Sequence, residues 1–155
     1  APSPNLPNNH AIYLYPSICL FEGTVMSLGR GTPYPFEVYG HPNYKGSAFS
    51  FTPRSMPGAR KPPLLNKKCY GVDLRELPDE QIITAGFDLS YLIDAYRNLN
   101  IGNKFFTSFF EKLVGVDYIR QEIIAGKTAE EISKRWHCEV EQFKQQRKPY
   151  LLYEE

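Results

Sequence analysis

Apolar and polar residues follow one rhythm in the first half of this chain and another in the second, with the change near residue 75. Before it, apolar residues come in short runs. Residues 12–15, 36–39, 48–52 and 69–74 each have the length of a short strand, and 48–52 also alternates as one. Residues 1–11 carry three Pro and three Asn and predict an extended arm. Pro16 and Ser17 predict a short helix through Phe21, capped by Ser17 and stopped by Gly23. Residues 53–68 hold four Pro, one Gly and five Lys or Arg, which predicts a long solvated loop.

After the change the pattern is helical. Phe87, Leu89, Leu92, Ile93, Tyr96 and Leu99 fall near helical spacing and predict a helix over 88–99, with Asp88 as its cap. A turn at 98–103 separates it from apolar-faced helices over 105–114 and 116–124, the latter ending at Gly126. Thr128-Ala-Glu-Glu131 has the spacing of a capping box. The helix behind it should bury Ile132, Trp136, Val140 and Phe143. Its outer face should pair Glu130 with Lys134 and Glu131 with Arg135, until Pro149 stops it. Residues 150–153 read as a terminal extended piece. Short strands first and helices after predict an α+β domain, in which helices concentrated in the C-terminal half pack on one face of a small, mainly antiparallel sheet.

Composition narrows the function. A chain of 155 residues is one domain by length and can bury a sizeable core. At 42% hydrophobic and 14% aromatic it is folded rather than disordered. Eighteen basic residues against seventeen acidic ones argue against a nucleic-acid or membrane-surface partner held by bulk charge. No apolar run approaches the length of a membrane span. Cys19, Cys69 and Cys138 have no metal spacing and read as small buried hydrophobes, with a Cys19–Cys69 disulfide as the alternative in an exported protein. His10, His41 and His137 form no metal constellation, and no cofactor is called for. No serine elbow occurs, and Cys19 has no adjacent base.

The chemistry concentrates in residues 22–32. Glu22, Arg30, the hydroxyls of Thr24, Ser27 and Thr32, and Gly23, Gly29 and Gly31 fall within eleven positions. Such a segment supplies little apolar surface. A glycine-flanked arginine suits a planar grip on a carboxylate or phosphate. The same residues also describe a turn tied by an internal salt bridge, and the three hydroxyls also suit turn bonds to the backbone. The spacing fits no nucleotide loop. Glu22 is the first candidate for catalysis. Arg30, Thr24, Ser27, Thr32, His41 and Tyr15 are candidates for binding, since tyrosine suits a sugar face. Glycosidases need two carboxylates, and Glu22 has no obvious partner here; Glu37, Asp73 and Asp88 are the others considered.

The strings YPSICLFEGT and SLGRGTPYPFEVYGHP resemble the bacterial exo-β-N-acetylmuramidase family. FTP at 51–53, CYGVDL at 69–74, GKTAEEI at 126–132 with Trp136, and RKPYLLY at 147–153 extend the resemblance over nearly the whole chain. The resemblance implies a glycoside hydrolase that frees N-acetylmuramic acid from the non-reducing end of peptidoglycan fragments. Family members resemble this chain only in their second part and carry an α/β domain before it. The chain starts at Ala1 with no initiator Met, so it is expected to be a C-terminal domain whose partner is the absent N-terminal one. On this resemblance Glu22 is the catalytic candidate and Arg30 selects the lactyl carboxylate. The location is then outside the cytoplasm, in a bacterial periplasm. The alternative is a module that binds muramyl sugars or the cell wall without cleaving them.

Overall fold

The computed structural model describes residues 3–153. The arm expected at 1–11 is cut short, and its residues 1–2 lie outside the described residues. Helix α1 (Asn9–Ile18) already begins at Asn9, because Asn8 accepts a hydrogen bond from Ala11 N at 2.8 Å and caps it. The helix also replaces the strand expected at 12–15. Ala11, Leu14 and Ile18 are buried at spacings of three and four, while Ile12 and Tyr15 face outward. That helical phase prevails over the strand-like length of the apolar run at 12–15. Ser17, expected as a cap, is instead buried within α1. Its hydroxyl donates to Gly86 O and accepts from Asp88 N, tying α1 to a distant turn. The chain then tightens into a 3₁₀ turn, Cys19–Gly23.

The sheet has three antiparallel strands in the order β1 (Val38–His41), β3 (Cys69–Asp73), β2 (Ser50–Phe51). Val38 pairs with Asp73 and Phe51 with Cys69. β2 is shorter than the expected 48–52. Ser47 takes up the adjoining backbone, donating to Gly71 O and accepting from Phe49 N.

Six α-helices carry most of the rest among the described residues. They include α2 (Asp79–Ala85), for which the sequence gives no periodic signal, and α3 (Ser90–Leu99). The N-cap of α3 is Leu89 and not the expected Asp88, which stands one residue earlier and accepts from Ser90 N and Oγ. The helix expected at 105–114 splits into a 3₁₀ turn, Gly102–Phe105, and α4 (Phe110–Val114). Helices α5 (Tyr118–Ile124) and α6 (Ala129–Arg147) follow. The architecture is α+β, with helices mostly in the C-terminal half.

The capping box of α6 is formed in both directions, Glu131 N to Thr128 Oγ1 at 3.2 Å and Thr128 N to Glu131 Oε2 at 2.8 Å. Lys134 pairs with Glu130. Arg135 does not pair with Glu131, whose carboxylate the box consumes. It reaches Glu122 on α5 at 2.8 Å and lies over the Tyr118 ring. Only the first turns of α6 pack inward. Ile132 is buried and Trp136 half-buried, but Val140 and Phe143 stay exposed, contrary to the periodic reading. The main core joins α1 and the 3₁₀ turn to α3, α4 and α5 through Leu14, Phe21, Leu92, Phe105, Phe110 and Ile123. All three cysteines are free thiols, and Cys138 is exposed rather than buried.

Candidate functional site

Two left-handed glycines shape the site. Gly29 and Gly31 have φ of +83° and +82°. A Cβ on Gly29 would lie 2.5 Å from Tyr34 O, and one on Gly31 would lie 2.5 Å from Pro62 Cγ. Both positions therefore demand glycine on space as well as dihedral. The turn is stitched to β1, where Ser27 and Gly40 exchange backbone hydrogen bonds at 2.9 and 2.8 Å. Arg30 is thereby projected from a fixed backbone.

The three hydroxyls hold this turn from behind. Thr24 Oγ1 donates to Phe21 O at 2.8 Å and accepts from Met26 N. Ser27 Oγ accepts from Gly29 N at 3.4 Å. Thr32 Oγ1 donates to Gly29 O at 2.7 Å and accepts from Tyr34 N. All three residues are buried. These are the turn bonds that the sequence leaves open as an alternative to sugar contacts.

Arg30 and Glu22 do meet. Arg30 Nη2 stands 2.9 Å from Glu22 Oε1, with the side chains 33% and 27% exposed. The internal salt bridge anticipated from sequence is present, yet the pair is open to solvent. Arg30 Nε is buried and has no hydrogen bond among the described residues. The guanidinium lies 5.5 Å from the centre of the Phe36 ring. Phe36 has φ of +66°, which is costly for a bulky residue, about 1–3 kcal/mol. The strain is held by Phe36 N bonding Leu28 O and by Glu37, whose carboxylate accepts from Asn8 Nδ2 at 2.6 Å. The Phe36 ring also carries Tyr15, 4.9 Å away and exposed. A strained phenylalanine thus links Tyr15 to Arg30.

A cleft of about 410 Å³ opens at the pair. Glu22, Leu28, Arg30, Ala59, Arg60 and Lys61 line it. That volume suits a small ligand. His41 is not among its lining residues. Its Nδ1 accepts from Asn43 N, and burial with nearby Lys67 pulls its pKa below the usual histidine value. Burial and the Glu22 carboxylate push the Cys19 thiol up, away from nucleophilic use. Asp73 is engaged by Arg75 at 2.6 Å and Asp88 by Ser90, and neither is among the residues that line the cleft. Arg60 and Lys61 are the lining residues that sequence reading treats as solvated loop. The four prolines, which restrict that loop, were the available signal.

Residues 13–153 match the family described as "Exo-beta-N-acetylmuramidase NamZ, C-terminal". The chain belongs to this NamZ family. It is 33% identical to the peptidoglycan β-N-acetylmuramidase NamZ of Bacillus subtilis (strain 168), over 98% of the chain and 40% of that protein. The crystal structure of a DUF1343 family protein from Bacteroides fragilis NCTC 9343 superposes with a TM-score of 0.97 at 65% identity. That match covers 99% of the chain and 44% of the crystallised one. The chain therefore spans less than half the length of both NamZ-family relatives. Among the described residues no helix is long and apolar enough to cross a membrane.

Proposed function

We propose that this chain is the part of an exo-β-N-acetylmuramidase that completes its saccharide cleft. The enzyme releases N-acetylmuramic acid from the non-reducing end of peptidoglycan fragments, outside the cytoplasm in a bacterial periplasm. The observation that carries this reading is the Glu22–Arg30 pair, which sits at an open cleft instead of being sealed inside a turn. Arg30 takes the lactyl carboxylate that distinguishes muramic acid from glucosamine. Its guanidinium offers a planar donor fork, of which Glu22 occupies one nitrogen. Glu22 is the carboxylate nearest the sugar, with Oε1 held by Arg30 and Oε2 left for a sugar hydroxyl or a water. Tyr15 gives an aromatic flank. Thr24, Ser27 and Thr32 serve the sugar indirectly, by fixing the turn.

Glycoside hydrolysis needs a second carboxylate, 5 to 10 Å or so from the first. Glu37, Asp73 and Asp88 are committed to Asn8, Arg75 and Ser90. The remaining catalytic group then comes from the N-terminal part that the relatives carry, and that part is this chain's partner.

Release of N-acetylmuramic acid from a chromogenic β-N-acetylmuramide tests the division. A polypeptide joining this chain to that N-terminal part should be active, and residues 1–155 alone should not. Turnover by residues 1–155 would move the second carboxylate into this chain, with Glu37 and Asp73 the first to replace. Inactivity of both would leave a non-catalytic module that binds muramyl sugars.

A further inference from the structure

The basic loop beside the cleft is pinned on two sides. Met56 and Ala59 bridge each other through backbone hydrogen bonds of 3.3 and 3.0 Å. Gly58 closes this bridge with φ of +81°, and its carbonyl accepts from Asn5 Nδ2 at 3.0 Å. On the other side Arg54 N donates to Gly31 O at 2.7 Å, and the Pro62 ring fills the space over Gly31. The loop is therefore fastened to the same turn that projects Arg30. Arg60 and Lys61 follow the bridge and line the cleft with Glu22 and Arg30. Both are exposed, and among the described residues neither forms an ion pair.

The charge balance gives these two residues a purpose. Glu22 and Arg30 cancel, so Arg60 and Lys61 leave the cleft with two uncompensated positive charges. We propose that Arg60 and Lys61 are specificity-determining residues of the cleft, a fixed cationic rim that receives the carboxylate of an anionic saccharide together with Arg30. The inference rests on the sugar-cleft reading above and adds to it. Arg30 supplies the donor fork but, paired with Glu22, no net charge, so the loop adds the net positive charge and shares the discrimination between an anionic and a neutral sugar. Because the rim is exposed, its pull should weaken as salt rises.

The test uses the polypeptide that includes the N-terminal part. Calorimetry would compare the methyl glycosides of N-acetylmuramic acid and N-acetylglucosamine at low and high salt. Replacing both residues (Arg60→Ala with Lys61→Ala) should cut the preference for the muramide about tenfold. It should also flatten the salt dependence and leave the glucosaminide unchanged. Exchanging the cations (Arg60→Lys with Lys61→Arg) should keep most of the preference, which separates charge from packing. Full preference and an intact salt response in the double alanine variant would overturn the proposal and leave the role of Arg30 standing. Absence of any preference in the parent polypeptide would overturn both.

Discussion

Arg30→Ala, made in the polypeptide that includes the N-terminal part, is expected to raise KM for a β-N-acetylmuramide by about 10- to 100-fold. Inhibition by any glucosamine analogue should weaken far less. The expectation follows from what the guanidinium does. Its backbone is fixed by Gly29 and Gly31, its guanidinium lies 5.5 Å from the centre of the Phe36 ring, and one nitrogen is held by Glu22 at 2.9 Å. A side chain so placed meets a carboxylate without losing further rotamer freedom. A glucosamine analogue presents no carboxylate and loses little when the fork is gone. Arg30→Lys should fall between the two, since a lysine keeps the charge and loses the fork. Equal losses for both sugars would end the specificity role and reduce Arg30 to a tie for Glu22.

Gly29→Ala should lower the stability of the domain strongly. The substitution forces an alanine to φ of +83° and puts its Cβ 2.5 Å from Tyr34 O and 2.8 Å from Val38 Cγ2. Backbone strain of about 1–2 kcal/mol adds to a collision with main-chain and strand atoms that cannot swing away. A loss of about 3 kcal/mol in total corresponds to a fall in Tm of roughly 6–12 °C for a domain of this size. Gly46→Ala supplies the control. Gly46 has φ of +74° but nothing within 4 Å of an added Cβ, so it carries the dihedral cost alone. Thermal unfolding of both variants separates the two contributions. If Gly29→Ala falls no further than Gly46→Ala, the close packing of the turn against β1 is not what fixes Arg30.

Local signals and long-range ones were unequally legible. The capping box at Thr128 and Glu131 is fixed by neighbours in sequence and forms as read, whereas the cap of α3 falls on Leu89, one residue after Asp88. Helix α1 is hard to read from sequence because the apolar run at 12–15 suits a short strand as well as a helix. The decisive cap, Asn8, lay inside a proline-rich stretch that looked like an arm. Val140 and Phe143 have correct helical spacing, but periodicity cannot say whether a face finds anything to pack on. At the site, the Glu22–Arg30 pair was legible because its members lie only eight positions apart. The burial of Thr24, Ser27 and Thr32 was not, since a hydroxyl in a turn and a hydroxyl in a cleft look alike in sequence. Arg60 and Lys61 join the cleft through Gly31 and Asn5, contacts across roughly thirty and fifty residues that no local pattern encodes.

The most direct measurement is a crystal structure of the polypeptide that includes the N-terminal part, bound to N-acetylmuramic acid. The account predicts the sugar in the cleft at Glu22, with its lactyl carboxylate about 3 Å from the Arg30 guanidinium and the Arg60–Lys61 rim closing over the same charge. A sugar bound elsewhere, with the Glu22–Arg30 pair untouched, would contradict it.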